Sequence, residues 1–236
     1  MRDSFDEIKR PLAARRPLAL AITAATAATG FGALNAAIVH RRTAHADRTL
    51  GKGAKARRGH PARRAAKALA PIGKWYTYMP FAAALSLYLL AATDGSTTRR
   101  VRGRGPRLRP RRLTGAAAIL VAGLLATGLN PLLDRWLPQP PPPPGRRTKR
   151  KSVFPSGHAF GPGAIALTAA YVLSREGVLR PGIAYPFALT IPAITAGARL
   201  VEEKHWVSDV AGGYLGAATL AAACLAAYES TRPGPA

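Results

Sequence analysis

The sequence predicts an all-α membrane protein, a bundle of about six helices that cross a bilayer. Nearly half of the 236 residues are apolar (48%), and Ala and Leu gather in long uncharged runs. Arg-rich pieces separate those runs, a segregation that a single soluble domain does not show. The mean hydropathy of +0.01 averages the two kinds of segment and hides both.

A helix needs roughly 20 mainly apolar residues to cross a hydrocarbon core about 30 Å thick, and charges near its middle are costly. The first run to approach this is Pro17 to His40. Its basic start resembles a signal peptide, but the run is too long for a typical signal core and reads as a retained first helix. The next runs are Trp75 to Thr93, Leu113 to Leu133, Ala159 to Leu173, Val178 to Ala198 and Trp206 to Tyr228. Of these, the fourth is short and the fifth carries Arg180 and three prolines. Trp75, Tyr76, Tyr78, Trp136 and Trp206 stand at run ends, where aromatic rings favour the water and lipid boundary. In the last run Gly212 and Gly216 are four apart, a spacing that lets a neighbouring helix approach closely. The single cysteine, Cys224, lies inside this run, so no disulfide within the chain and no cysteine metal cluster is possible; a buried packing role suffices.

The connectors carry the charge. A net +24 from 35 basic residues could neutralise nucleic-acid phosphates. Here, however, the basic residues lie between apolar runs, where anionic lipid headgroups are the nearer partner, and no nucleic acid is expected. Arg41 to Pro71 reads as a basic, Gly-containing connector, and Arg99 to Arg112 as a solvated loop facing lipid headgroups. Gly103 and Gly105 make no nucleotide fingerprint, because no strand precedes them. Pro138 and Pro140 to Pro144 form a stiff spacer. Counting helices places the first, third and fifth connectors on one membrane face. Basic residues load both faces comparably, but the dense short loop Arg99 to Arg112 leans cytoplasmic. The other three loops would then lie outside.

Two short segments carry chemistry, Phe154-Pro155-Ser156-Gly157-His158 before the fourth run and Arg199-x5-His205-x3-Asp209 between the fifth and sixth. Helix counting brings both to one face, and phosphoryl transfer needs a nucleophile, a proton donor and cations around one phosphate. His205 and Asp209, four apart, share a face on a helix, so the carboxylate can hold one imidazole nitrogen and leave the other free to attack. Alone, that spacing is more often a surface pair. Arg199 can grip phosphate oxygens with its planar fork of donors, or anchor a helix end. Ser156 can be a helix N-cap, or part of an anion site in which the Gly157 amide approaches closely. His158 beside it can act as a general acid, or be interfacial decoration.

Together the two segments resemble the type 2 phosphatidic acid phosphatase superfamily, which embraces bacterial acid phosphatases and vanadium-dependent haloperoxidases. The resemblance runs from about Asn130 to Tyr228, with the six-helix layout agreeing over the rest. It implies a metal-independent, cofactor-free reaction in which His205 is the nucleophile, Asp209 orients it and His158 protonates the leaving group. Arg199, Ser156 and the Gly157 amide match the groups that hold the phosphate. The first family motif, Lys or Arg followed by six residues and Arg-Pro, is where this chain departs. Arg135 fills its first position, but counting on reaches Pro142 and Pro143; Arg146 or Arg147 could supply the missing charge, or be only a basic loop. Glu202, Glu203 and Lys204 also crowd the turn before His205, where the family tends to be less charged.

The expected organisation is two N-terminal membrane helices with basic loops (1–112), a catalytic helical core (113–228) and a short tail (229–236). The expected activity is hydrolysis of a lipid phosphomonoester or diphosphate, an isoprenoid diphosphate or a phospholipid such as phosphatidic acid. The expected place is the plasma membrane of a bacterium, with the site on its outer face. Two rivals stand beside this: an impaired relative that binds anionic lipid without efficient turnover, and a vanadate-dependent halide oxidase, whose relatives are usually larger and soluble. The oligomeric state has no signature in the sequence.

Overall fold

The computed structural model describes residues 3–54, 59–92, 110–141 and 154–232. The glycines of the Arg99 to Arg112 loop, Pro142, Pro143, Arg146 and Arg147 lie outside the described residues. Those described are helical throughout, in the order α1 (Asp3–Val39), α2 (Ala44–Ala54), α3 (Pro61–Leu69), a single 3-10 turn (Ala70–Gly73), α4 (Trp75–Ala91), α5 (Pro110–Trp136), α6 (Gly157–Arg175), α7 (Pro181–Val201) and α8 (Val207–Ser230).

Each of the six apolar runs is a helix. Among the described residues four stretches, Arg15–Val39, Arg111–Trp136, Pro181–Val201 and Val207–Ser230, are long and apolar enough to cross a membrane. The remaining two differ for physical reasons. α4 has 17 residues, slightly less than a bilayer crossing takes. α6 runs at the centre of the bundle against α4, α5, α7 and α8, so most of its side chains meet protein rather than lipid. Arg180 is the N-cap of α7 and lies just outside the apolar helix. The outward faces carry Leu18, Ile22, Leu87, Leu124, Phe187 and Leu189, all more than half exposed, as an integral membrane protein requires of its lipid-facing surface.

Close packing in the centre comes from small residues. Gly212, Gly213 and Gly216 make one face of α8, and a Cβ on them would lie 2.2 Å from the Phe154 ring, 2.6 Å from the Ser156 carbonyl oxygen and 2.8 Å from the Phe160 ring. The stripe therefore receives the segment that opens α6. Cys224 is buried, as a packing residue. The connector Arg41 to Pro71 is not a loop: it contains α2 and α3, two short helices with polar and apolar residues on opposite sides. Neither has the uncharged run by which the longer helices announce themselves, and their amphipathic faces suit a membrane surface.

Candidate active site

The described parts of the first, third and fifth connectors converge at one end of the bundle. Asp47 on α2 bonds Ser208 at the start of α8, Arg63 on α3 reaches Glu202 and Glu203, and Trp206 donates its indole N–H to the Pro141 carbonyl. Ser156, Gly157, His158, Arg199, His205 and Asp209 lie at this end.

The start of α6 is fixed from two sides. Gln139 pairs with the backbone of Phe154, donating to its carbonyl at 2.8 Å and accepting its amide at 2.9 Å. The Ser156 amide donates to the Asp209 carbonyl at 2.9 Å, tying this segment to α8. Ser156 is the N-cap of α6 by position, yet its side chain makes no capping bond. Its hydroxyl is buried without a partner among the described residues, directly before the amide-rich first turn. A helix N-terminus presents donors and a positive dipole end to an anion. An uncapped one with a spare hydroxyl is suited to phosphate oxygens.

His158 sits in the first turn of α6. Its ring lies against the Gly73 backbone, where a Cβ would fall 2.4 Å from the imidazole. The Ala70 carbonyl bonds the ring from the same 3-10 turn, while Nε2 is buried with no partner among the described residues. From the other side, Thr195 of α7 donates to the His158 carbonyl at 2.7 Å.

His205 is not on a helix, contrary to the spacing argument. α8 begins at Val207, because Asp209 folds back as an N-terminal cap and accepts the Trp206 amide at 2.7 Å. The same oxygen, Oδ2, stands 3.6 Å from His205 Nδ1. That is beyond a hydrogen bond, but such contacts in empty sites tighten when substrate enters. Nδ1 is thus the ring nitrogen held against Asp209. The His158 and His205 rings are tilted 53° to one another with centroids 6.5 Å apart, close enough for a single phosphoryl group to touch both.

Arg199 lies in the last turn of α7 and contacts Glu202 Oε2 at 2.6 Å. The chain turns immediately afterwards through Glu203 in the left-handed region (φ 56°), a conformation that a non-glycine residue adopts at some cost. Arg63 holds this turn, donating to the Glu202 carbonyl at 3.4 Å and standing 3.6 Å from the Glu203 carboxylate. The turn delivers His205 beside Asp209.

Two residues that sequence reasoning missed also stand here. Asp47, 6% exposed, accepts both the amide (2.9 Å) and the hydroxyl (2.8 Å) of Ser208, so it caps the helix that holds Asp209. Its signal in the sequence was weak, an acid within a basic connector. Asn130 of α5 lies against Gly157, where an added Cβ would meet its amide at 2.8 Å, and its Oδ1 is buried without a partner among the described residues. Counting six residues on from Asn130 reaches Leu137-Pro138, the spacing of the first family motif with both of its cations replaced. Arg135 is exposed in the last turn of α5, and among the described residues no hydrogen bond or ion pair joins it to the site.

His158, His205 and Asp209 lie together at one end of a helical membrane protein. The chain belongs to the PAP2 superfamily, whose sequence profile matches residues 111–232, just over half of it. The fold is similar to the crystal structure of a transmembrane PAP2-type phosphatidylglycerolphosphate phosphatase from Bacillus subtilis. That likeness has a TM-score of 0.69 at 19% identity and covers 92% of this chain and 98% of the other. No curated protein matches the chain.

Proposed function

We propose that the protein is a lipid phosphate phosphatase that hydrolyses a lipid phosphomonoester or diphosphate through a phosphohistidine on His205. The observation that carries this is the neighbouring pair His158 and His205, ring centroids 6.5 Å apart, with Asp209 behind one ring.

In the first step His205 Nε2 forms a bond to phosphorus as the bond to the leaving oxygen breaks, and His158 gives that oxygen its proton. Arg199, the Ser156 hydroxyl and the first-turn amides of α6 hold the equatorial oxygens, where charge is spread in the transition state. Asp209 stabilises the imidazolium character that develops on His205. In the second step water attacks phosphorus, His158 takes its proton, and His205 departs with inorganic phosphate released. These roles need no metal ion.

A lipid rather than a soluble ester is favoured by a cavity of ≈ 330 Å³ lined by Leu69, Ile72, Phe81, Ile165, Ile191 and Ile194, among others. It reaches Thr195, which bonds the His158 backbone, so a hydrocarbon chain lodged there would bring its phosphate to the histidines. The exposed apolar belt supports the same conclusion, since substrate and enzyme share the bilayer. Placement in a bacterial plasma membrane with the site outward rests on the basic loop Arg99 to Arg112 being cytoplasmic.

The test is phosphate release from polyprenyl diphosphate and phosphatidic acid by the purified protein, with and without EDTA. Activity that survives His205→Ala would sink the assignment, as would its complete loss with chelator. One observation favours the second reading, an impaired lipid binder: the first-motif spacing starting at Asn130 has no cation. Should the protein bind these lipids without turnover, and Asn130→Lys then release phosphate, that reading is the right one.

A further inference from the structure

Glu202 lies where a phosphatase site would be expected to exclude negative charge. It is only 2% exposed. Its Oε2 is 2.6 Å from Arg199 Nη1, its Oε1 is 3.4 Å from Lys204 Nζ, and Arg63 donates to its carbonyl oxygen. A buried carboxylate persists only when its charge is met, and here the nearer of the two cations meeting it is the one that would hold phosphate. Chemically, carboxylate oxygens on a guanidinium resemble the oxygens of a phosphoryl group, because both present paired anionic acceptors to the same fork.

We propose that Glu202 is a specificity-determining residue that occupies Arg199 as an internal substitute for phosphate and must be outcompeted by the substrate. The proposal rests on reading Arg199 as a phosphate-holding group. A terminal phosphate carries up to two negative charges and can displace a single carboxylate. A phosphodiester carries one, and it meets an occupied guanidinium and an added repulsion. The surrounding bilayer is made chiefly of phosphodiester headgroups, so a site at its surface needs such a barrier to avoid filling with bulk lipid. Discrimination built from a repulsive element works by weakening the wrong partner more than the right one.

The experiment compares full-length wild type, Glu202→Gln and Glu202→Asp in detergent micelles. Calorimetry measures binding of inorganic phosphate and of a short-chain phosphatidylglycerol, a phosphodiester. Glu202→Gln should bind phosphate about tenfold tighter, given the strength of a close charge pair at a partly buried site. It should gain more for the phosphodiester, so that the preference for phosphate narrows. The Asp variant keeps the charge but withdraws it by one methylene, and should shift the same way by less; it decides the matter if the Gln variant does not fold. Unchanged or weaker phosphate binding in the variants overturns the proposal and makes Glu202 a positioning residue for Arg199; absence of binding in all three proteins overturns it as well. Because binding is read without turnover, tightening in a protein that hydrolyses no lipid would uphold this inference and fail the proposed function. Hydrolysis without tightening would do the reverse.

Discussion

The two halves of the chain divide the labour differently from what the family match alone conveys. Residues 111–232 carry the proposed reacting groups His158, Arg199, His205 and Asp209, together with the start of α6. The region before α5 carries no family motif, yet it touches each part of that machinery. Asp47 caps the helix of Asp209, the Ala70–Gly73 turn seats His158, and Arg63 holds the turn between Arg199 and His205. Reacting groups are local in sequence because each must emerge at a helix boundary. Their supports are distant because only another element can press on a helix end from outside.

That contrast can be broken by ranking variants. The reacting groups should dominate: His205→Ala and Asp209→Asn should each lower kcat about ten-thousandfold or more, as loss of a nucleophile or its orienting carboxylate does. His158→Ala should cost between about a hundredfold and ten-thousandfold on an alkyl phosphate. In kcat/KM, which reports the step that expels the leaving group, the loss should shrink on p-nitrophenyl phosphate, whose leaving group needs no proton. An equal loss on both substrates would remove His158 from the acid role.

The supports should matter less, and in kcat rather than KM. Asp47→Ala leaves the Ser208 amide and hydroxyl without their partner, and such a cap loss costs about 1–2 kcal/mol of stability. We expect kcat to fall about tenfold in folded protein with KM nearly unchanged, and Asp47→Asn, which keeps an acceptor, to recover most of it. Gly73→Ala should have the smallest effect, a several-fold drop in kcat confined to substrates with poor leaving groups, because its methyl pushes the His158 ring and not His205. If Gly73→Ala instead slowed the p-nitrophenyl ester equally, the turn would be supporting the fold and not the acid.

Much of this was legible in the sequence where a single element decides the outcome. Six apolar runs became six helices, four of them long and apolar enough among the described residues to cross a membrane, because an apolar run is read one segment at a time. The two segments holding His158 and His205 came to one end because helices of similar length alternate direction. The parts that depend on several elements were hidden. Asp209 caps α8 and so keeps His205 off the helix, which the four-residue spacing could not show. α2 and α3 read as a loop because their Arg, Lys and Gly content dilutes a short apolar face. Asn130 became visible only when Gly157 was found against it, and an exposed Arg135 had the more obvious chemistry.

The proposed mechanism turns on His205 forming a covalent bond to phosphorus. The direct measurement is a rapid-quench reaction of the purified protein with a lipid substrate labelled with radioactive phosphorus, followed by peptide mapping. Label that is stable to base, released by acid and located on His205 is the predicted result, with none in His205→Asn and longer-lived label in His158→Ala. Turnover in which the wild type never carries label at His205, under conditions that trap the intermediate, would contradict it.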